Sequence, residues 1–209
     1  MSDGHDPHSE PGVPVFRDQD LDGEDLRRLA PLDGLVLERC RLRYADLAGL
    51  VTIGCRFVSC DLTGADLSGS EHHGSAFTNC SFAGARLSTS RFIGCKLTGS
   101  DLTDTITLGL TVEDGDWSYT NLRGVDLATR DLRGLRLAHA DLCEANLRDA
   151  DLTGADLSGA ELRNTVLDGT QLHDAELAGV RLADALVAGA QLDLAGAVRL
   201  AESLGAEVA

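Results

Sequence analysis

The hydrophobic positions of this chain recur every five residues. Counting by fives from Leu32 to Leu192 stays in one frame, and most of these central positions, here called position i, hold Leu, Phe, Val or Trp. A step of five matches neither a helix, with about 3.6 residues per turn, nor a strand, whose side chains alternate. Position i−2 is small, i−1 is often Asp or Asn, and i+2 is often Gly. An earlier run, Phe16, Leu21 and Leu26, is one residue out of phase.

This pattern predicts a coil with one pentad on each side. In an extended segment, i−2 and i point the same way and i−1 points the opposite way, so the large apolar side chains would share an inner axis. A Gly, Asp or Asn at i+2 would let the chain turn a corner. Tandem segments of the form A(D/N)LxG, as in NLRDADLTGADLSGAEL at 146–162, resemble the pentapeptide-repeat family. The resemblance covers residues 16–194 and implies an all-β fold, a right-handed quadrilateral β-helix.

The two ends of the chain follow other patterns. Residues 1–15 are polar and hold three of the four prolines, so we predict a disordered N-terminal tail. Residues 16–194 would form the β-helix and 195–209 a short C-terminal α-helix, with Asp193 as its N-cap and Gly205 as its stop. The apolar side of this helix either seals the last turn or pairs with a second chain. The predicted dimer interface consists of Leu194, Ala197, Val198, Ala201 and Leu204.

Departures from the five-residue pattern predict local irregularity. His72 stands at a central position, where we expect a bulge or a water molecule beside its imidazole. Residues 105–112 alternate with period two, which predicts a longer strand or a short in-frame loop. Whether 68–76 and 105–116 form in-frame loops stays open. Arg130 stands at i−2, and because an unpaired buried charge is costly, we expect it to point outward or to pair with an acid.

The sequence offers little catalytic chemistry. Cys143 at i+1 is expected to point outward without an adjacent base, and the pair His72–His73 beside Glu71, like His5 and His8, lacks zinc-site spacing. No nucleophile–base set or phosphate-binding Gly loop is present. We therefore predict no enzyme activity, no metal and no cofactor; an enzyme using Cys143 or the histidine pair is the least favoured alternative. The remaining cysteines occupy the small i−2 slot, where we interpret them as buried hydrophobes: Cys40, Cys55, Cys60, Cys80 and Cys95.

The C-terminal half of the chain carries most of the excess negative charge. The net charge of −16 opposes direct binding to nucleic acid. Residues 100–194 hold 18 acidic and 7 basic residues, a net charge of −11. They would span about 23 Å at the strand spacing, a length over which duplex DNA carries roughly 13 charges. We therefore predict that this half imitates DNA, with acids stacked one turn apart, and that its partner-binding surface comprises Asp116, Asp126, Asp131, Asp141, Asp151, Asp156 and Glu161.

Several segments resemble one branch of the family, the mycobacterial fluoroquinolone-resistance proteins of the MfpA and Qnr type. They are FRDQDLDGEDLRRL, HHGSAFTNCSF, NLRGVDL and QLDLAGAVRLAESLG, in the same order. The resemblance implies a homodimer joined at its C-terminal end that binds DNA gyrase, a type II topoisomerase, by DNA mimicry. Which gyrase subunit is contacted, and whether the effect is inhibition or protection from fluoroquinolone-type poisons, stays open. Qnr proteins carry loops that project from the coil, but the unbroken frame here leaves room only for insertions of a multiple of five.

A second interpretation assigns the chain to a different class of function. It is a structural pentapeptide-repeat scaffold that binds an unrelated protein partner. No apolar run is long enough to span a membrane, and the N-terminus is polar, so under either interpretation we expect a cytoplasmic protein.

Overall fold

The structure is a computed structural model that describes residues 13–29 and 32–208. The described residues form short parallel strands and isolated parallel bridges. They also form 3-10 turns at Leu26–Leu29 and Leu182–Asp184 and an α-helix, α1, at Leu194–Ser203. The named strands are β1 (Val15–Arg17), β2 (Leu32–Asp33), β3 (Val36–Glu38), β4 (Val51–Ile53), β5 (Arg56–Val58), β6 (Glu71–His73), β7 (Ala76–Thr78), β8 (Arg91–Lys96) and β9 (Thr111–Asp116).

The pairing register confirms the predicted quadrilateral β-helix. Each strand pairs in parallel with the segment 20 residues later, as in Thr52↔His72 and Gln171↔Gln191. Since each side of the coil is one pentad, a turn has four sides. The first turn is one residue longer, because Phe16 pairs with Leu37. This extra residue explains why the first run of hydrophobic positions is out of phase with the rest.

Four stacked faces follow from this register. Face 1 carries the central positions 32, 52, 72 and every twentieth residue after them; faces 2, 3 and 4 begin at 37, 42 and 47. The central side chains form one continuous core along the axis, and Leu62, Phe82 and Leu147 are fully buried. Phe57 and Phe77 stack on successive turns with ring centroids 4.6 Å apart. Burial of about 25 cal/mol per Å2 of apolar surface makes this inner column the main source of stability.

The corners require a left-handed backbone at i+2. Gly154 has φ +67°, as predicted for a corner glycine, and Asp149 has φ +55°. The structure also places large side chains there, including Tyr44 at φ +56° and His139 at φ +57°. Such residues disfavour this conformation by roughly 1–2 kcal/mol each, so the stacked register imposes the corner even where the local sequence opposes it.

The five-residue frame continues without an inserted loop through both segments in question, 68–76 and 105–116. Glu71–His73 pairs in register with β4 and β8, and Ile106 pairs with Arg86 at the 20-residue offset. For residues 105–110 the expectation of a longer strand or loop is wrong, because β9 begins only at Thr111. The period-two alternation is instead one pentad side in the same frame, with Thr107 inside and Ile106 and Leu108 outside.

The C-terminal helix lies between the two predicted cap residues. The Asp193 carboxylate accepts a hydrogen bond from the backbone N–H of Gly196 at 2.8 Å, and Gly205 adopts φ +88°. One side of α1 covers the last turn: Gly196 is buried, and Leu200 packs against the core. Leu194 at the start of α1 and Leu204 just after its end are 82% and 70% exposed. The helix therefore seals the coil and still leaves large apolar side chains in solvent.

The described part of the chain holds no helix with the length and hydropathy needed to cross a bilayer. Of the predicted disordered tail, residues 1–12 lie outside the described residues.

Gly115 is the glycine whose replacement should be most costly. It has φ +121°, and an added Cβ would overlap the carbonyl oxygen of Cys95 on the previous turn. We expect Gly115→Ala to lower the free energy of unfolding by roughly 2–4 kcal/mol, measured by denaturant titration. The control is Gly134→Ala at a corner with φ +66° and no neighbour within 4 Å, where we expect a loss of about 1–2 kcal/mol. Equal losses in the two variants would contradict the close-contact argument.

Candidate partner-binding surface

The seven predicted partner-binding acids lie on all four faces of the coil. Two of the predicted stacks are present, because Asp131 pairs with Asp151 and Asp141 pairs with Glu161 in the register. The structure does not bring the seven side chains together on one side. They divide into Asp131 and Asp151 on face 1, Asp116 and Asp156 on face 2, Asp141 and Glu161 on face 3, and Asp126 on face 4.

All six aspartates of the set hold a local turn. The i−1 carboxylate accepts a hydrogen bond from the backbone N–H of residue i+1, so that Asp141 binds Cys143 N–H at 3.0 Å and Asp156 binds Ser158 N–H at 3.0 Å. This short side-chain-to-backbone bond is an Asx turn. Glu161 makes no such bond among the described residues. The other members of the set that do are Asp116, Asp126, Asp131 and Asp151.

Arginines neutralise several members of the set. Arg133 binds both carboxylate oxygens of Asp131 at 2.8 and 2.7 Å and approaches Asp151 at 3.8 Å. Arg123 binds Asp141 at 2.9 Å. On face 2, Arg136 lies between Asp116 and Asp156 in the column and binds Asp116 at 3.1 Å. Exposed pairs of this kind contribute little to stability, but they reduce the charge that a partner would meet.

The pKa directions agree with this pairing. The hydrogen bond from Arg133 holds the pKa of Asp131 below its ordinary value. Burial alone would raise the pKa of Asp141, but hydrogen bonds from Cys143 and Arg123 outweigh it and the pKa is lowered. Burial opposes the shift in the same way at Asp116, where bonds from Ser118 and the charge of Arg136 lower the pKa. These carboxylates are therefore fully ionised at neutral pH.

Three members of the set have no cationic partner in the described part of the chain: Asp126, Asp156 and Glu161. Asp126 accepts a hydrogen bond from the Asn146 side chain at 2.9 Å, and Asp156 from the Ser158 hydroxyl at 2.6 Å. Both donors are neutral, and none of the three carboxylates makes a salt bridge among the described residues. These three are the strongest candidates for contact with a basic partner.

The Asx turn and the arginine pairs were missed in the sequence analysis, although one signal for the turn was present. Asn121 and Asn146 occupy the same i−1 position as the aspartates, and each accepts the equivalent N–H at 3.2 Å. Interchange of Asp and Asn at one repeat position indicates a need for an acceptor oxygen rather than for a charge. No comparable sequence signal locates the arginine pairs, because their partners lie 2, 18 or 20 residues away in the chain.

The buried histidine sits in a hydrogen-bonded cluster. Thr52 Oγ1 lies 2.8 Å from His72 Nδ1, and Ser70 Oγ lies 2.9 Å from His72 Nε2. Strand β6 stays in register on both sides of His72, so the expected bulge is wrong; two neighbouring hydroxyls supply the polar contacts instead. Burial, with a smaller effect of His73, lowers the pKa of His72 to about 3. The side chain is therefore neutral at physiological pH and serves the core.

The cysteines in the i−2 slot are all buried thiols, as predicted. They also donate weak hydrogen bonds, for example from Cys95 Sγ to the carbonyl oxygen of His72 at 3.2 Å. Cys143 is buried although it occupies the i+1 column and is not part of the inner core, because only 1% of this residue is exposed. Its short side chain is covered in the i+1 column between Arg123 and Arg163, with Sγ 4.0 Å from the Glu161 carbonyl oxygen. Burial and Asp141 raise the pKa of the Cys143 thiol, which disfavours a nucleophilic thiolate.

Arg130 neither points outward nor pairs with an acid. It is half-buried, and its Nη2 donates to the carbonyl oxygen of Thr107 at 3.2 Å, while its Nε is buried without a partner among the described residues. Thr107 is shorter than the Leu usual at a central position, which leaves room for the guanidinium. The described residues contain no group of three or more His, Cys, Asp or Glu side chains that could hold a metal ion.

Comparison with protein families agrees with this geometry. A family model described as pentapeptide repeats matches eight copies over residues 40–71, 73–106, 120–159 and 145–184, more than half of the chain. The chain belongs to the pentapeptide-repeat family. No curated protein matches it.

Solved structures of other pentapeptide-repeat proteins share the fold. A trypsin-treated variant of QnrB1, described as a plasmid-mediated fluoroquinolone resistance protein, has a TM-score of 0.79 at 20% identity, covering 94% of this chain and 98% of that chain. Full-length QnrB1 has a TM-score of 0.74 at 21% identity, covering 93% and 100%. HetL from the cyanobacterium Nostoc sp. strain PCC 7120, described as involved in heterocyst differentiation regulation, has a TM-score of 0.51 at 24% identity, covering 85% and 86%. At these identities the likeness concerns the fold.

The buried imidazole makes the stability of this pentapeptide-repeat protein depend on pH. The unfolded chain binds a proton at His72 below pH 6.5, while the folded chain does so only near pH 3. Stability should therefore fall as the pH drops from 6.5 towards 3. At pH 4.5 the free energy of unfolding should be lower by roughly 2–3 kcal/mol than at pH 7 because of His72 alone.

The measurement is the free energy of unfolding at pH 7 and pH 4.5 in the wild type and in His72→Leu. We expect the variant to lose less stability between the two values, because its central residue no longer titrates. If His72→Leu loses as much stability between pH 7 and pH 4.5 as the wild type does, groups other than His72 cause the pH dependence.

Proposed function

We propose that this protein binds DNA gyrase through its acidic C-terminal half, by imitating duplex DNA, and so inhibits the enzyme or protects it from fluoroquinolone-type poisons. The observation that carries the proposal is the net charge of −11 over residues 100–194, on a coil whose length there is about 23 Å. This charge per length is close to that of duplex DNA. The structural likeness to QnrB1, a fluoroquinolone resistance protein, supports the same assignment.

The proposed mechanism is competition for a basic groove. Lysines and arginines that normally meet DNA phosphates would meet the carboxylates of the coil, led by Asp126, Asp156 and Glu161, which have no arginine partner among the described residues. The effect is one of binding rather than catalysis, with no cofactor. Because gyrase acts on DNA inside the cell, the proposal also implies a cytoplasmic protein.

A scaffold function is the second candidate. The Asx turns favour it, since they give aspartates such as Asp141 and Asp151 a structural reason to be present without any partner. The two candidates differ in whether the charge, rather than the acceptor oxygen, is needed for activity.

Replacing charge while keeping the acceptor tests the mimicry directly. We expect the triple variant Asp126→Asn, Asp156→Asn, Glu161→Gln to fold normally, because Asn makes the same turn at Asn146. Its affinity for gyrase should fall about tenfold, from three exposed charge contacts of about 0.5 kcal/mol each. The measurements are a gyrase binding titration and a supercoiling assay with and without a fluoroquinolone.

The matched control changes three aspartates of the N-terminal half at the same pentad position. Asp46, Asp61 and Asp66 each accept the N–H of residue i+1, and their exchange for Asn should leave gyrase binding unchanged. If wild-type protein neither inhibits nor protects gyrase at micromolar concentration, the mimicry proposal fails. Binding that is equal in wild type and the triple variant would favour the scaffold.

We further propose that two chains associate through α1. Leu194 is 82% exposed and Leu204 is 70% exposed, and we expect the contact to include Ala197, Val198 and Ala201 as well. Covering this apolar surface in a second chain would remove it from water.

Light scattering measures the expected dimer. Wild type should have twice the mass of one chain, and Leu204→Asp should be a monomer, because a carboxylate in the apolar contact is not paired. Val51→Asp, at an exposed position in the N-terminal half, is the control and should stay dimeric. A monomeric wild type would refute the association.

A further inference from the structure

The hydrogen-bond ladder between successive turns is interrupted over one half-turn. On face 4, Leu87 N–H bonds the Ile106 carbonyl at 2.8 Å, and Leu127 N–H bonds the Asn146 carbonyl at 2.8 Å. Between these, the Thr107 N–H makes no bond to Asp126; only the Thr107 hydroxyl reaches the Asp126 carbonyl, at 2.5 Å. Within the described turns, the same bonds to the following turn are missing for the N–H groups of Asp104, Gly109, Val112 and Asp114.

The interruption is a property of residues 104–114, here called the open segment. Strand β9, which begins within it, pairs with β8 of the preceding turn and, in the part of the chain that the structure describes, with no named strand on its other side. The pairing resumes at Asp116↔Arg136. Arg130 bridges the gap by donating to the Thr107 carbonyl. Because two side-chain bonds replace the backbone ladder to the following turn, the open segment can adjust to a partner at lower cost than a fully paired turn.

Two large aliphatic side chains stand outward on the open segment. Ile106 is 50% exposed and Leu108 is 74% exposed. They occupy i−1 and i+1 of face 4, the positions that hold Asp66 and Ser68 two turns earlier. Ile106 cannot form the Asx turn, and neither side chain serves the core. A pure imitation of DNA has no use for them, because a duplex presents phosphates there.

Charged side chains of both signs flank this apolar pair, with Arg86 at the preceding position of the Ile106 column. Asp104 lies at the preceding corner and Asp126 at the next position of the Ile106 column, and neither has a cationic partner among the described residues. On face 1 the open segment ends in a shallow depression lined by Val112, Glu113, Asp114, Asp131 and Arg133. Arg133 pairs with Asp131 and Arg91 with Glu113, which leaves Asp104, Asp114 and Asp126 without a salt bridge among the described residues. A complementary surface therefore offers a few basic groups around an apolar pocket. Apolar anchors within a polar rim are the usual arrangement of an interface hot spot.

The geometry points to Ile106 and Leu108 as an apolar anchor that inserts into a pocket of gyrase beside its DNA-binding groove. This inference rests on the proposed function and adds to it a contact that DNA itself does not make. The carboxylates would give the complex its attraction at long range, and the anchor would slow its dissociation. The two contributions respond differently to salt, since only the charged contacts are screened.

The experiment measures the Kd of purified full-length protein for gyrase at several salt concentrations. We expect Ile106→Ser with Leu108→Ser to weaken binding about 10- to 100-fold at every salt concentration, leaving the slope of log Kd against log salt unchanged. The triple charge variant Asp126→Asn, Asp156→Asn, Glu161→Gln should instead reduce that slope. Circular dichroism and thermal unfolding verify that each variant is folded.

The matched control is Ile53→Ser. Ile53 is 48% exposed, close to the 50% of Ile106, but it lies on face 1 in the N-terminal half, and its replacement should not change the Kd. If wild type binds gyrase and the Ile106/Leu108 variant binds equally well, the anchor is refuted while the mimicry stands. An equal loss in Ile53→Ser refutes it too. If wild type does not bind gyrase at all, both proposals fall together.

Discussion

Every other feature of this molecule depends on the peptide bonds of one turn finding partners in the next. Leu62 N–H bonds the Ser81 carbonyl at 2.7 Å, Leu67 N–H bonds the Arg86 carbonyl at 2.8 Å, and the same bond recurs along all four faces. A buried backbone group without a partner is costly, so all turns must have the same length. The five-residue frame of the sequence is the consequence, and a change in turn length, as in the first turn, must occur at an end.

The same constraint explains the small residues at i−2. A side chain there lies beside a carbonyl oxygen of the previous turn, and Ser100 Oγ donates to Phe77 O at 2.8 Å while Thr165 Oγ1 donates to Leu142 O at 2.7 Å. Cys60 Sγ lies 3.4 Å from Leu37 O in the same relation. The slot therefore accepts Ala for its size and Ser, Thr or Cys for a second contact between turns. The cysteines need neither a metal nor a disulfide to account for their positions.

Most of the fold could be predicted because each pentad repeats the same local rule. The inward Leu152, the corner Gly154 and the helix N-cap Asp193 follow from spacing and residue type alone. The predictions for His72 and Arg130 were wrong in detail, and the burial of Cys143 was not predicted, because each depends on what the neighbouring turn places beside it: the Thr52 hydroxyl, the Thr107 carbonyl, or the flanking arginines. The outward position of the candidate acids and their stacking one turn apart could be predicted from sequence, but not their Asx turns or their pairing with arginine.

The Asx turn has a further consequence for how this coil can change over generations. Because Asn121 holds its turn as well as Asp141 does one turn later, a single exchange of Asp for Asn alters the charge of the surface by one without altering the backbone. Codons for the two residues differ by one nucleotide. The coil thus allows its electrostatic field to drift in unit steps under selection while its architecture is conserved, so that close relatives with one shape can come to suit different partners.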